Sequence, residues 1–240
     1  METHKKIILA FFATVYFIST DLHAQDDKVY STAPEGAIVL FDGTDFSQWV
    51  NCDGGEVRWK IVDGIMEVVG DSTWACPKIQ GTMTKQLFKD FQLHVEFRLP
   101  DTENTNSGIY IQKRYELQIN YNKNTEPKPG MGGSIYRQKV PDVIVGKEKG
   151  EWETYDILFR AARFDPDNPA KKIENARISM IHNGVVIHNN VIIKAKTGVG
   201  FPEGVEPGPI MLQDHLATVQ FRNVWVIPNV PVETLPEDDH

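Results

Sequence analysis

Apolar and polar residues alternate with a period of two in one segment after another of this chain. Phe91-Gln-Leu-His-Val-Glu-Phe-Arg98 sets Leu93, Val95 and Phe97 on one side, with His94, Glu96 and Arg98 on the other. Successive side chains of a β-strand point to opposite faces, so the pattern fits a half-buried strand and not a helix. Trp152–Phe159 and Val219–Val226 read as further strands. Short strands also flank Asp63-Gly64 and Asn183-Gly184, dipeptides that favour two-residue hairpin turns. Helical periodicity is scarce. Many short strands separated by Gly and Pro predict an all-β domain, a jelly-roll β-sandwich of two antiparallel sheets. Tyr121–Gly133 and Arg163–Lys172 are polar and rich in Pro or Gly, so they are expected to be rim loops able to shape a site.

Residues 1–24 read as a secretory signal peptide, with Lys5-Lys6, an apolar run from Ile7 to Ile18, and Ala24 before a polar stretch. The run is shorter than the about 20 apolar residues of a membrane-spanning helix. The expected location is secreted or periplasmic, with no membrane span after cleavage; an uncleaved anchor is the other reading. Residues 30–230 then form one domain, and residues 231–240 an acidic tail expected to fray. The formal charge of -8 argues against nucleic acid and anionic membranes as partners and suits a neutral substrate. Cys52 and Cys76 are the only cysteines, and export would permit one disulfide between them. No further His or Cys lies at zinc-ligand spacing.

Two segments carry polar residues where ordinary core would be apolar. In Asn106–Ile119, Arg114, Glu116, Gln118 and Asn120 share one strand face, opposite Tyr115, Leu117 and Ile119. In Gly208–His215, Gln213 and His215 share a face and Asp214 points to the other. A carboxylate beside an amide suits recognition of a polar ligand such as a sugar. Glu116 is a candidate general base and Gln118 a hydroxyl ligand, against the plainer reading of a solvated strand face. His215 can serve as acid, base or oxyanion stabiliser, or be structural. Asp214 can orient its neighbours or hold the turn through backbone bonds. Arg222 can bind an oxyanion or pair with a buried carboxylate. Glu96 is expected to face the same surface as Glu116, and two carboxylates would suit glycoside hydrolysis. None of the tryptophans is assigned to a site, because in sandwiches most are core. No P-loop, nucleophile elbow, zinc-protease or dinucleotide motif is present.

The sequence from Leu40-Phe-Asp-Gly-Thr44 and Trp49, through Asp90–Arg98, Asn106–Tyr110, Arg114–Ile119 and Gly150–Asp156, to Gly208–His215 and Phe221–Asn223 resembles the 3-keto-disaccharide hydrolase family, also known as DUF1080. The resemblance spans about residues 37 to 227. It implies a concanavalin A-like jelly roll in an exported bacterial protein that cleaves glycosides oxidised to a ketone at C3. It also implies Glu116, Gln118, Gln213, Asp214, His215 and Arg222 as site residues. The chain departs from the usual pattern at Asn120 and Tyr121, at Arg137 and Leu216 where the family commonly has Gly, and at Gln220 where a basic residue is frequent.

A C3 ketone acidifies the C2 proton, so a base can form an enolate that expels the C1 substituent, after which water adds to the enone. The reading gives Glu116 as base, Arg222 or Gln118 as the group polarising the C3 oxygen, and His215 as acid. Gln213, Asp214, Glu96 and Arg114 complete the substrate-binding set. No cofactor is expected; a divalent metal would help the enolate, but no ligand set stands out. The partners are a small carbohydrate and an upstream sugar 3-oxidoreductase that supplies the ketone. The rival readings are a lectin-like binding module, a two-carboxylate glycosidase using Glu96 and Glu116, and a degenerate envelope protein.

Overall fold

The computed structural model describes residues 32–70, 76, 78–122 and 126–229. The expected signal peptide, Trp74 and the acidic tail lie outside the described residues. Among the described residues there are strands and no helix. They are β1 (Ile38–Phe41), β2 (Trp49–Asn51), β3 (Lys60–Val62), β4 (Ile65–Glu67), β5 (Gln80–Thr84), β6 (Phe91–Arg98), β7 (Ser107–Ile111) and β8 (Tyr115–Ile119). They continue with β9 (Trp152–Arg160), β10 (Arg163–Asp165), β11 (Asn168–Glu174), β12 (Ala176–His182), β13 (Val185–Ile193), β14 (Met211–Asp214) and β15 (Gln220–Pro228).

Two antiparallel sheets make the sandwich. The larger runs β13-β12-β9-β6-β15-β4-β3, with β1 also on β15, and the smaller runs β2-β5-β14-β7-β8. This is the jelly-roll architecture that the alternation predicts. Leu93, Val95 and Phe97 of β6 meet Ile109, Leu117, Ile119 and Leu212 of the smaller sheet in one core. Trp49 and Trp59 belong to that core, Trp59 stacking on Phe221 at 5.9 Å. Asp63-Gly64 and Asn183-Gly184 take left-handed φ of 51°, 76°, 50° and 80°, as two-residue hairpins of the expected type require.

Two sequence expectations are corrected. Residues 163–172 are not a loop, because β10 and β11 pair as a separate hairpin. The Asp165 carboxylate accepts the Asp167 backbone N–H and pairs with Lys171, which closes the turn through Pro166. The polar run after Asn106 is not one strand but the β7–β8 hairpin, turned by Gln112 and Lys113 at φ 53° and 52°. Neither residue is a usual left-handed turn former. The turn is held from outside: Gln112 Nε2 donates to the carbonyls of Phe88 and Lys89, and Arg114 donates to Gln112 Oε1.

The outer face of the smaller sheet is also covered. Tyr110, Met211 and Ile79 bury a second apolar cluster around the Cys52–Cys76 disulfide. The segment 133–139 lies along the free edge of β8, with Gln118 N–H bonding Ser134 O and Tyr136 N–H bonding Glu116 O. His188 of β13 contacts the Gly133 carbonyl at 2.7 Å and holds that segment against the larger sheet. On the other side, the Thr197 N–H bonds Arg114 O and the Phe201 N–H bonds Lys113 O. These two segments wall off part of the outer face and create the cavity described next.

Candidate active site

β7, β8 and β14 lie side by side, so residues of one face gather without any bend in the chain. Tyr110 pairs with Glu116 and Gly108 with Gln118 across β7 and β8. Gln213 joins them from β14, because Leu212 before it points into the core. These side chains, with Asn106, Tyr136, Arg137, Lys78, Thr197, Gly198, Val199 and His215, line a cavity of about 240 Å³.

Glu116 is buried at its centre. Burial pushes its carboxyl up to about 6, although the Tyr110 hydroxyl and the positive charge of Arg137 pull the other way. The Tyr110 hydroxyl donates to Glu116 Oε2 at 2.7 Å. Burial and the Glu116 charge push that hydroxyl far above the usual tyrosine range, so it remains a donor. The Glu116 N–H bonds the Thr197 hydroxyl, which ties the strand to the 197–206 segment. Gly108 makes room for the pair above it. A Cβ there would lie 3.1 Å from Glu116 Oε1 and 3.3 Å from Gln213 Oε1.

The amides divide into two kinds. Gln118 Nε2 is committed to protein acceptors, chiefly Asn106 Oδ1 at 2.6 Å and Ser107 O at 3.2 Å. It therefore orients Asn106, whose Nδ2 has no partner among the described residues. Gln213 is 8% exposed, and its Oε1 is buried without a hydrogen-bond partner. An unpaired buried amide costs about 1–3 kcal/mol, a cost that a hydroxyl-bearing ligand would offset. His215 lines the cavity as an exposed side chain.

The sequence-derived set is thus only partly assembled. Glu116, Gln118, Gln213 and His215 come together. Asp214 turns away from them, and its Oδ1 accepts the Leu216 N–H at 2.9 Å, the turn-holding role. Arg114 reaches out of the cavity to the carbonyls of Pro202 and Glu206 and fixes the covering segment. Glu96 and Arg222 do not share the Glu116 surface. They sit on the outer face of the larger sheet, because Val95, Phe97 and Phe221 fill the core between.

There, Arg222 Nε donates to Glu96 Oε2 at 2.6 Å and Asn223 Nδ2 to Glu96 Oε1 at 2.8 Å. A bulge at Asn223, with φ 45°, aims both donors at one carboxylate. Burial pushes Glu96 up, but His94, Asn223 and Arg222 outweigh it and hold the carboxyl at about 2. Burial pushes His94 down, but Asp156 and Glu96 outweigh it and raise the imidazole to about 9. Trp152 lies under Arg222 at 4.0 Å and Trp225 stacks on His94 at 4.9 Å. Among the described residues, no group of three or more His, Cys, Asp or Glu side chains gathers at metal-binding distance.

Tyr110, Asn106, Tyr136, Arg137, Lys78 and Thr197 were not singled out from sequence. Tyr110 and Asn106 lie in the motif that carries the resemblance, and their position opposite β8 was the available signal. The others arrive on loops whose folding over the sheet no local pattern reveals.

A jelly-roll sandwich with a polar cavity on its smaller sheet defines the class. The sequence matches the 3-keto-alpha-glucoside-1,2-lyase-like domain over residues 36–227, and the chain belongs to that family. A comparison with curated protein sequences returned no match. Two crystal structures from Parabacteroides distasonis ATCC 8503, each described as a "putative glycosyl hydrolase", are similar. The first is 36% identical with a TM-score of 0.70, covering 81% of this chain and 84% of that one. The second shares the fold at 18% identity and a TM-score of 0.62, covering 81% and 95%.

Proposed function

We propose that this protein is an exported hydrolase that cleaves glycosides whose sugar carries a ketone at C3. Family membership supports a glycoside-cleaving or sugar-binding role, and the 36%-identical structure described as a glycosyl hydrolase agrees with it. The observation that carries the finer reading is Glu116. It is the one carboxylate among the residues lining the cavity, raised to about 6 beside two amides with unpaired atoms. A conventional glycosidase needs two carboxylates about 5 to 10 Å apart on either side of the scissile bond. Glu96, its expected second carboxylate, lies on the other sheet, and so the elimination route is favoured.

In this mechanism Glu116 removes the C2 proton and the electron pair forms an enolate across C2 and C3. Asn106 Nδ2, oriented by Gln118, donates to the C3 oxygen as charge develops there. Arg222 is too far removed by the fold for that role. The enolate collapses to a C1–C2 enone and expels the C1 oxygen, which takes a proton from His215. Water then adds at C1 with His215 as base, and Glu116 returns the proton to C2. The net reaction is hydrolysis without change of oxidation state, so an upstream oxidoreductase must supply the ketone.

The test is product release from a chromogenic 3-keto-glucoside and its unoxidised counterpart, with and without a chelator. Cleavage of the keto compound alone is expected. Cleavage of the plain glucoside would overturn the mechanism, and sugar binding without turnover of either would favour a lectin-like module.

A further inference from the structure

The cavity has a charge that opposes the rest of the molecule. The chain carries -8 overall, yet the cavity lining holds Lys78 and Arg137 against the single carboxylate of Glu116. Both cations are exposed at the rim. Among the described residues neither has an ion-pair partner, and the Arg137 guanidinium lies over the Tyr136 ring, 5.3 Å from its centroid. Arg137 is close enough for its charge to act on Glu116. Lys139 and Lys171 pair with Asp142 and Asp165, while Lys85 and Lys147 reach only backbone carbonyls, so what sets Lys78 and Arg137 apart is that they line one cavity.

The backbone at both positions is unusual. Lys78 has φ 82° and Arg137 has φ 59°. A residue with a Cβ pays on the order of 1 kcal/mol or more in this left-handed region, where glycine fits freely. Each turn could therefore be made more cheaply without its cation. The Gln138 and Lys139 N–H groups on the Ile135 carbonyl hold the Arg137 turn, and the side chain it presents lines the cavity.

Resting on the reading of this cavity as a sugar site, we infer that Lys78 and Arg137 select a sugar bearing an acidic substituent, a carboxylate or a sulfate ester. Recognition of neutral hydroxyls is already supplied by Asn106 and Gln213. Two cations add little to a neutral ring and much to an anion, because guanidinium and ammonium groups make charge-assisted bonds to carboxylate and sulfate oxygens. A net positive cavity in an acidic protein also draws an anionic sugar toward it.

The experiment is calorimetry of the protein with glucuronate, glucose 6-sulfate and glucose. The acidic sugars are expected to bind about tenfold or more tightly than glucose, an advantage that shrinks as salt screens it. The ranking of glucuronate against the sulfate identifies which anion is preferred. Arg137→Gly keeps the turn, relieves its strain and should lose most of the preference, and Lys78→Met should lose part of it. Lys60→Met, on β3 of the other sheet, should keep it. Equal or weaker binding of both acidic sugars, or no binding of any sugar, overturns the inference. Turnover is read separately on the keto forms. Preferential binding without keto-glycoside cleavage supports the anion site and sinks the proposed reaction. Cleavage of a neutral keto-glucoside with no gain from an acidic group does the reverse.

Discussion

Glu116 is caught between two demands. Burial raises its carboxyl to about 6, which makes it a stronger base than a solvated glutamate and still mostly ionised near neutral pH. The folded state therefore binds this proton more tightly than the unfolded chain does. Stability tied to Glu116 is highest below 4.5 and falls as pH rises through about 6. Glu116→Gln should cut kcat by about 10²- to 10⁴-fold while stabilising the fold by about 1–2 kcal/mol above pH 6. Both effects are read from kinetics on a 3-keto-glucoside and urea titrations at pH 4 and pH 8. Tyr110→Phe removes a bond to the ionised carboxylate, so Glu116 should titrate higher still. The acid limb of the kcat/KM profile is expected to move up, with an unchanged limb arguing against Glu116 as the titrating base.

At the scale of elements, the site depends on how closely three strands pack. Gly108 is the spacer, because a Cβ there would press on Glu116 and Gln213 at 3.1 to 3.3 Å while the backbone itself accepts alanine. Gly108→Ala should keep the fold and displace the carboxylate by a few tenths of an ångström, lowering turnover about tenfold or more. Circular dichroism beside kinetics would separate this from unfolding. The disulfide between Cys52 and Cys76 closes a loop of separation 24 beside β5. Cys52→Ser with Cys76→Ser should cost about 3 kcal/mol in a urea titration, the chain-entropy value for such a loop. The β7–β8 turn shows why the hairpin was not legible in sequence: Gln112 and Lys113 are poor left-handed residues, and their conformation is imposed by bonds to Phe88, Lys89 and Arg114.

Across the whole molecule, the two sheets separate two sets of charged residues that the sequence reading had joined. Half-buried Arg222 and buried Glu96 pair on the larger sheet and link β15 to β6. Glu96 is lowered from 4.5 to about 2, so its contribution is present above 4.5 and lost as pH falls through 2. Arg222→Met should cost on the order of 2 kcal/mol at pH 7, less than a fully orphaned pair because Asn223 and His94 still face Glu96. The deficit should shrink toward pH 2. Turnover of the keto-glycoside well below the melting temperature should not change; a large loss of kcat there would return Arg222 to the chemistry.

The sequence by itself determined the strand class, the two Gly-containing hairpins, the antiparallel sandwich, and that Glu116 shares a strand face with Gln118, and Gln213 one with His215. Those follow from period-two alternation and turn chemistry, which act over a few residues. Only the tertiary structure decided which faces meet. Alternation says that Glu96 and Glu116 both point away from the core, but a sandwich has two such outer faces, and the strand order sends the two carboxylates to opposite ones. Loop placement was likewise decided in three dimensions. Arg137 and Thr197 reach the cavity because segments distant in sequence bond along β8, and Lys78 reaches it from the residues just before β5, placements no local pattern encodes.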